Sequence, residues 1–223
     1  MKKIAPIFGL FVIFSIFPAY AQTTSNPSVL IEKMEIPFEE FNIVSRDSII
    51  NEFEQIHRNN WQVTIENNLV YANPLGNAAI RLYDYDNPEK FIEIGMGSPP
   101  DNKLWFAVQL PDTGYAVVHD KLDRGWVQDL KLFLAYEDNS GLSVNNGKRI
   151  VVTNLDVGGL TLNKFSTFGM ESSTDPPAIN SGILILDIVS GDPSQNILHF
   201  FPFILAGGIG IIVGALLLTK KRS

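Results

Sequence analysis

The chain of 223 residues has no cysteine and only three histidines. Without cysteine there are no disulfides, no thiolate nucleophile and no iron–sulfur cluster, so any exported fold must be held by packing alone. His57, His119 and His199 are too few and too scattered for a transition-metal site. No Gly-x-Ser-x-Gly elbow frames a serine against His119, and Gly158-Gly159 lacks the downstream Gly-Lys-Ser/Thr of a phosphate loop. No Asn-x-Ser/Thr acceptor for N-glycosylation, no internal repeat and no low-complexity segment occurs.

Basic residues are sparse in the body of the chain. Lys2, Lys3, Lys220, Lys221 and Arg222 sit at the ends, leaving twelve basic against 24 acidic residues between them, a balance of −12 behind the formal −7 of the whole. Such a surface disfavours nucleic acid and anionic lipid headgroups, favours cations or basic partners, and keeps a domain soluble.

What the chain does have is two apolar ends. Lys2 and Lys3 precede an apolar run from Ile4 to Phe17, then Pro18 and Ala19-Tyr20-Ala21. This is the layout of a secretory signal peptide cleaved before Gln22, and the run is shorter than the ~20 residues of a membrane span. Ile197 to Thr219 carries no Asp, Glu, Lys or Arg and is followed at once by Lys220-Lys221-Arg222. At ~1.5 Å per residue it covers the ~30 Å hydrocarbon core. The signal peptide and the basic tail agree on orientation, with the body outside the cell membrane and the C-terminus cytoplasmic. Ala206, Gly210 and Gly214 recur every fourth residue, a small-residue face suited to packing against a membrane-protein partner or a second copy.

The apolar tail closed by basic residues also resembles, in layout, the sorting tails of some bacterial and archaeal surface proteins. The preceding Gly191-Asp192-Pro193-Ser194-Gln195-Asn196 supplies neither an LPxTG-type nor a proline–glutamate motif. The expected organisation is therefore a signal peptide over 1–21, a polar lead-in over 22–28, an ectodomain over 29–192, a linker over 193–196, a transmembrane helix over 197–219 and a tail over 220–223. Four linker residues reach only ~3.3–3.6 Å each, which holds the ectodomain close to the bilayer.

Within the ectodomain, Ile49, Ile50, Phe53 and Ile56 follow Ser45 at three- and four-residue spacing, predicting one amphipathic helix up to Asn59. From Trp61 onward about ten short β-type runs are cut by turn signals, the rhythm of an antiparallel β-sandwich or jelly roll. Leu104, Phe106, Val108 and Leu110 share one face, as do Leu130, Leu132, Leu134 and Tyr136. Pro111-Asp112-Thr113-Gly114 and Asn146-Gly147 read as turns, and Ile183 to Val189 as a central strand.

These rows leave Tyr83, Tyr85, Trp105 and Phe133 pointing the other way, interleaved with Arg81, Gln109, Asp129 and Lys131. Rings edged by polar groups suit stacking on sugar faces or a protein hot spot. The competing expectation is that the helix over 45–59 packs on these rings and buries them. Oxygen-rich turns place Asp84 with Asp86 and Asp120 with Asp123 as the candidate Ca²⁺ ligands, although no full calcium-loop pattern is present. The pattern as a whole points to an exported, single-pass binding or accessory module, with a possible glycan or membrane-protein partner and no required cofactor. A carboxylate-based surface hydrolase and a purely structural envelope protein are the alternatives; paired carboxylates leave no local signature.

Overall fold

The computed structural model describes residues 30–190. The expected signal peptide over 1–21, the expected transmembrane helix over 197–219 with Ala206, Gly210 and Gly214, and the basic tail lie outside the described residues. Among the described residues no helix is long and apolar enough to cross a membrane.

Twelve strands follow in order: β1 (Leu30–Pro37), β2 (Ile50–His57), β3 (Trp61–Tyr71), β4 (Asn77–Asp84), β5 (Phe91–Gly97), β6 (Leu104–Leu110), β7 (Gly114–Lys121), β8 (Leu132–Glu137), β9 (Gly141–Asn145), β10 (Ile150–Leu155), β11 (Leu162–Phe168) and β12 (Ile179–Ser190). They form two six-stranded sheets, ordered β1-β12-β3-β8-β9-β10 and β2-β11-β4-β5-β6-β7. Every pairing between these strands is antiparallel, giving a mainly β, sandwich-like domain.

Alternation along the strands builds the interior. Ile80 and Leu82 of β4, Ile92 and Ile94 of β5 and Phe106 of β6 meet Val63 and Ile65 of β3, Leu134 of β8 and Leu186 of β12 in one core. Each large side chain removed from water contributes about 1.5–3 kcal/mol, which is how a cysteine-free sandwich holds together. Two buried tryptophans spend their N–H groups on carbonyls, Trp61 on Leu160 at 2.8 Å and Trp126 on Gly97 at 2.7 Å. The turns fall where expected: Gly114 (φ +73°) closes β6 onto β7, and Gly147 (φ +93°) lies between β9 and β10. β12 runs between β1 and β3 as an inner strand.

The predicted helix over 45–59 does not form. Ser45–Asp47 is a single 3-10 turn, and Ile50–His57 is strand β2, an edge strand paired with β11. The misreading has a physical source. Lys164 faces Glu52 while Leu162 faces His57, so β2 carries extra residues across a bulge. The bulge buries Phe53 and His57, four residues apart, and leaves Ile49, Ile50 and Ile56 at 60%, 55% and 41% exposure. Three of the four apolar residues behind the helical reading are therefore exposed, so their spacing did not mark a buried face. Leu130 likewise stands outside the inward row of β8, 39% exposed and ahead of the strand.

One carboxylate ties the two sheets at this edge. Glu32 of β1 accepts the backbone N–H groups of Glu54 (2.8 Å) and Gln55 (3.0 Å) inside the β2 bulge, and the Nε2–H of His57 at 2.9 Å. These bonds satisfy amides that the bulge removes from the ladder.

Candidate functional site

The outer face of the second sheet is organised in cross-strand rows. Phe168, Ala79, Gly95, Trp105 and Asp120 form one row across β11, β4, β5, β6 and β7. Beside it run Ser166, Arg81, Glu93, Ala107 and Val117, and then Lys164, Tyr83, Phe91, Gln109 and Tyr115. Small residues next to large ones carve a trough. Strands spaced ~4.8 Å apart put its two ends, on β11 and β7, about 19 Å from each other.

Trp105 is set by what β5 lacks. A side chain at Gly95 would fall 1.8 Å from Cζ2 of the indole, so the ring occupies the space above that glycine. The indole Nε1–H donates to Glu93 Oε1 at 2.9 Å, and the Tyr115 hydroxyl donates to the same oxygen at 2.9 Å. Arg81 Nε donates to Glu93 Oε2 at 2.8 Å, with side-chain exposures of 21% and 5% for the two partners. Glu93 is therefore a buried hub fixing two rings and a guanidinium, and both its oxygens are committed. The Tyr115 phenol is pushed up to about 12, first by desolvation and then by the Glu93 carboxylate, so it stays a neutral donor.

Arg81 is itself held on all sides. Its guanidinium lies 4.4 Å from the centre of the Phe168 ring and 5.1 Å from that of Phe91, and it donates to Ser45 Oγ at 3.0 Å. The 3-10 turn that replaces the predicted helix thus supplies a wall rather than a lid. Ser45, Gly169, Met170 and Glu171 border the trough on one side and Tyr115, Val117 and Asp120 on the other, enclosing about 480 Å³. Lys103 and Asp120 close the Trp105 end as an ion pair of 2.8 Å.

The structure divides the sequence-derived face. Tyr83 and Trp105 stand on this outer surface with Arg81 and Gln109, and the Tyr83 hydroxyl lies 3.0 Å from Ser166 Oγ. Tyr85 follows the end of β4, 43% exposed, with the Arg58 guanidinium 5.5 Å from its ring centre. Phe133 belongs to β8 in the other sheet, and Lys131 pairs there with Glu66 at 3.1 Å. Phe91, Glu93, Tyr115 and Phe168 were not singled out by sequence, yet Phe91-Ile92-Glu93-Ile94-Gly95-Met96-Gly97 alternates cleanly. Its inward isoleucines and methionine put Phe91, Glu93 and both glycines on the outer face.

The aspartates proposed for Ca²⁺ sit in different surroundings. Asp84 is buried and accepts the Thr161 N–H at 2.9 Å, Asp86 is exposed, Asp120 pairs with Lys103, and Asp123 lies 3.9 Å from Arg124. Among the described residues no three His, Asp or Glu side chains converge as a metal site. His119 and Asp120 are neighbours in sequence, but strand alternation turns His119 inward, where its Nε2 lies 3.3 Å from the Arg124 carbonyl, and Asp120 outward.

No family model and no curated sequence matches the chain. Among solved structures it is similar to a fructofuranosidase from Schwanniomyces occidentalis complexed with fructose, at 13% identity and TM-score 0.40 over 74% of this chain and 35% of that one. It thus spans about a third of that enzyme's length. It is also similar to a carbohydrate-binding module from Bacillus subtilis, at 8% identity and TM-score 0.37 over 70% and 92% of the two chains. A structure described as a native glycosidic hydrolase gives 12% identity and TM-score 0.42 over 72% and 80%. At these values the likeness carries no functional assignment.

Proposed function

We propose that this protein is a non-catalytic binding module that takes a carbohydrate in the trough on the outer face of its second sheet. The observation that carries this reading is Trp105: a half-buried indole laid over a glycine, fixed through its N–H to a buried carboxylate, and lining an open groove. An aromatic ring held rigid before the ligand arrives loses little entropy on binding, and its apolar face beside polar groups suits the face of a sugar ring. A hydrolytic role for Glu93 is disfavoured because three donors already occupy its carboxylate. We further propose that the module is exported and held at the cell membrane, a reading supported by the apolar run over 4–17 with Lys2 and Lys3 before it and the apolar run over 197–219 with Lys220, Lys221 and Arg222 after it.

The test is a glycan array of neutral and acidic oligosaccharides probed with the 22–192 ectodomain, wild type and Trp105→Ala. Binding to a defined set of glycans, weakened at least about tenfold in the variant, is expected from the loss of one stacking ring and its buried area. Equal binding by both proteins, or none by either, would remove this reading. Alkaline extraction of native membranes tests the anchoring: the full chain is expected to stay in the pellet.

A further inference from the structure

We infer that Lys103 and Asp120 are the specificity-determining pair of the trough, reading two adjacent hydroxyls on the sugar ring that Trp105 stacks. The inference rests on the carbohydrate-binding reading above and goes further, because it names the ligand chemistry: a neutral ring with a free vicinal diol.

The placement follows from register. Asp120 is the direct cross-strand neighbour of Trp105, a position at which side chains touch. Lys103 precedes Trp105 by two residues and points to the same face, passing over Gly97, where a side chain would come 3.1 Å from the Lys103 Cβ. Gly95 and Gly97 thus leave room under the indole and the lysine in turn. The pair spans 2.8 Å from Nζ to Oδ1, with 44% and 49% side-chain exposure.

The buried polar groups at the centre of the trough are occupied. Glu93 holds Arg81, Trp105 and Tyr115, and Arg81 also holds Ser45. Lys103 and Asp120 are held only by each other in the hydrogen bonds and ion pairs of the described residues, and an exposed ion pair adds little to folding stability, so exchanging it for ligand contacts costs little. An ammonium only donates and a carboxylate only accepts, whereas each hydroxyl does both. Two neighbouring hydroxyls can therefore satisfy the pair, one accepting from Lys103 and one donating to Asp120. The pair is neutral as a unit, and Glu171 stands on the facing wall. Carboxylated, sulfated or phosphorylated sugars meet net negative charge there.

The experiment uses the ectodomain and a neutral oligosaccharide bound on the array, displaced by its parent methyl hexoside and by the monodeoxy analogues of that hexoside. Asp120→Asn and Lys103→Met are compared with wild type and with Trp105→Ala, folding being checked by circular dichroism. In wild type, removing either read hydroxyl is expected to weaken displacement about tenfold. Asp120→Asn should lose a similar factor and should no longer discriminate the parent from one deoxy analogue. If Trp105→Ala abolishes binding while Asp120→Asn and Lys103→Met keep wild-type affinity and full discrimination, this inference is wrong and the carbohydrate reading stands. If Trp105→Ala binds as wild type does, the carbohydrate reading itself falls, and this inference with it.

Discussion

The two outer faces of the sandwich obey the same strand alternation and yet differ in relief. On the first sheet, Gln62, Thr64, Glu66 and Asn68 of β3 face outward beside Asp187 of β12 and Phe133 and Ala135 of β8. Lys131 reaches Glu66 at 3.1 Å and Asp187 at 4.0 Å over that surface. No glycine interrupts that stretch, and the surface there is mixed, polar with one aromatic ring. On the second sheet, Ala79, Gly95 and Gly97 stand among Trp105, Phe168 and Asn77, and the surface acquires a floor and walls. A binding groove on a sandwich thus needs the removal of side chains as much as the placement of aromatic ones. It also needs a buried polar hub to fix the rings that border it.

The sharpest way to break this contrast is at the hub. Glu93→Ala leaves the Arg81 guanidinium half-buried without its anion and is expected to destabilise the domain by about 3–5 kcal/mol in urea denaturation. The matching change on the first sheet, Glu66→Gln, removes an exposed pair and is expected to leave the urea midpoint nearly unchanged. Equal effects would mean that the second face has no special internal order. A smaller effect than that of the hub is expected from filling the floor. The Cβ of Gly95→Ala meets the indole, so Trp105 must swing out, costing about 1–3 kcal/mol and changing its fluorescence.

A third change acts at the edge where Glu32 joins the two sheets. His57 donates Nε2–H to Glu32, and its buried Nδ1 has no partner among the described residues, so a second proton there would find no acceptor. Burial lowers the His57 pKa below its usual value, with Glu32 partly opposing. The folded state therefore prefers the neutral ring. Its contribution is complete above the unfolded pKa of about 6.5 and is lost as pH falls through and below that value. Stability curves of wild type and His57→Phe should diverge in slope over that acidic window, with wild type falling faster. Parallel curves would show that His57 does not titrate with folding.

Much of the fold was legible along single strands. Leu104, Phe106 and Val108 declared one face of β6, and Trp105 fell on the other because alternation leaves no choice. What alternation cannot reveal is which sheet a strand joins. Phe133 reads like Trp105 in its own strand, but long-range pairing carries β8 to β3, across the sandwich from the trough. The periodicity of Ile49, Ile50, Phe53 and Ile56 misled because only Phe53 is buried, the three isoleucines being exposed on or beside an edge strand. Glu93 was missed for a different reason. A single carboxylate in an apolar strand carries no local sign that an arginine, a tryptophan and a tyrosine from three other strands will converge on it.

The most direct measurement follows the indole N–H resonances during titration with a neutral oligosaccharide bound on the array. The protein has three tryptophans, and those of Trp61 and Trp126 are buried and bonded to backbone carbonyls, so the Trp105 signal serves as a built-in probe of the trough. The Trp105 resonance alone is expected to shift in a saturable manner, and the shift is expected to disappear in Glu93→Gln, which loosens the ring. Saturable binding that leaves the Trp105 resonance in place would contradict this expectation.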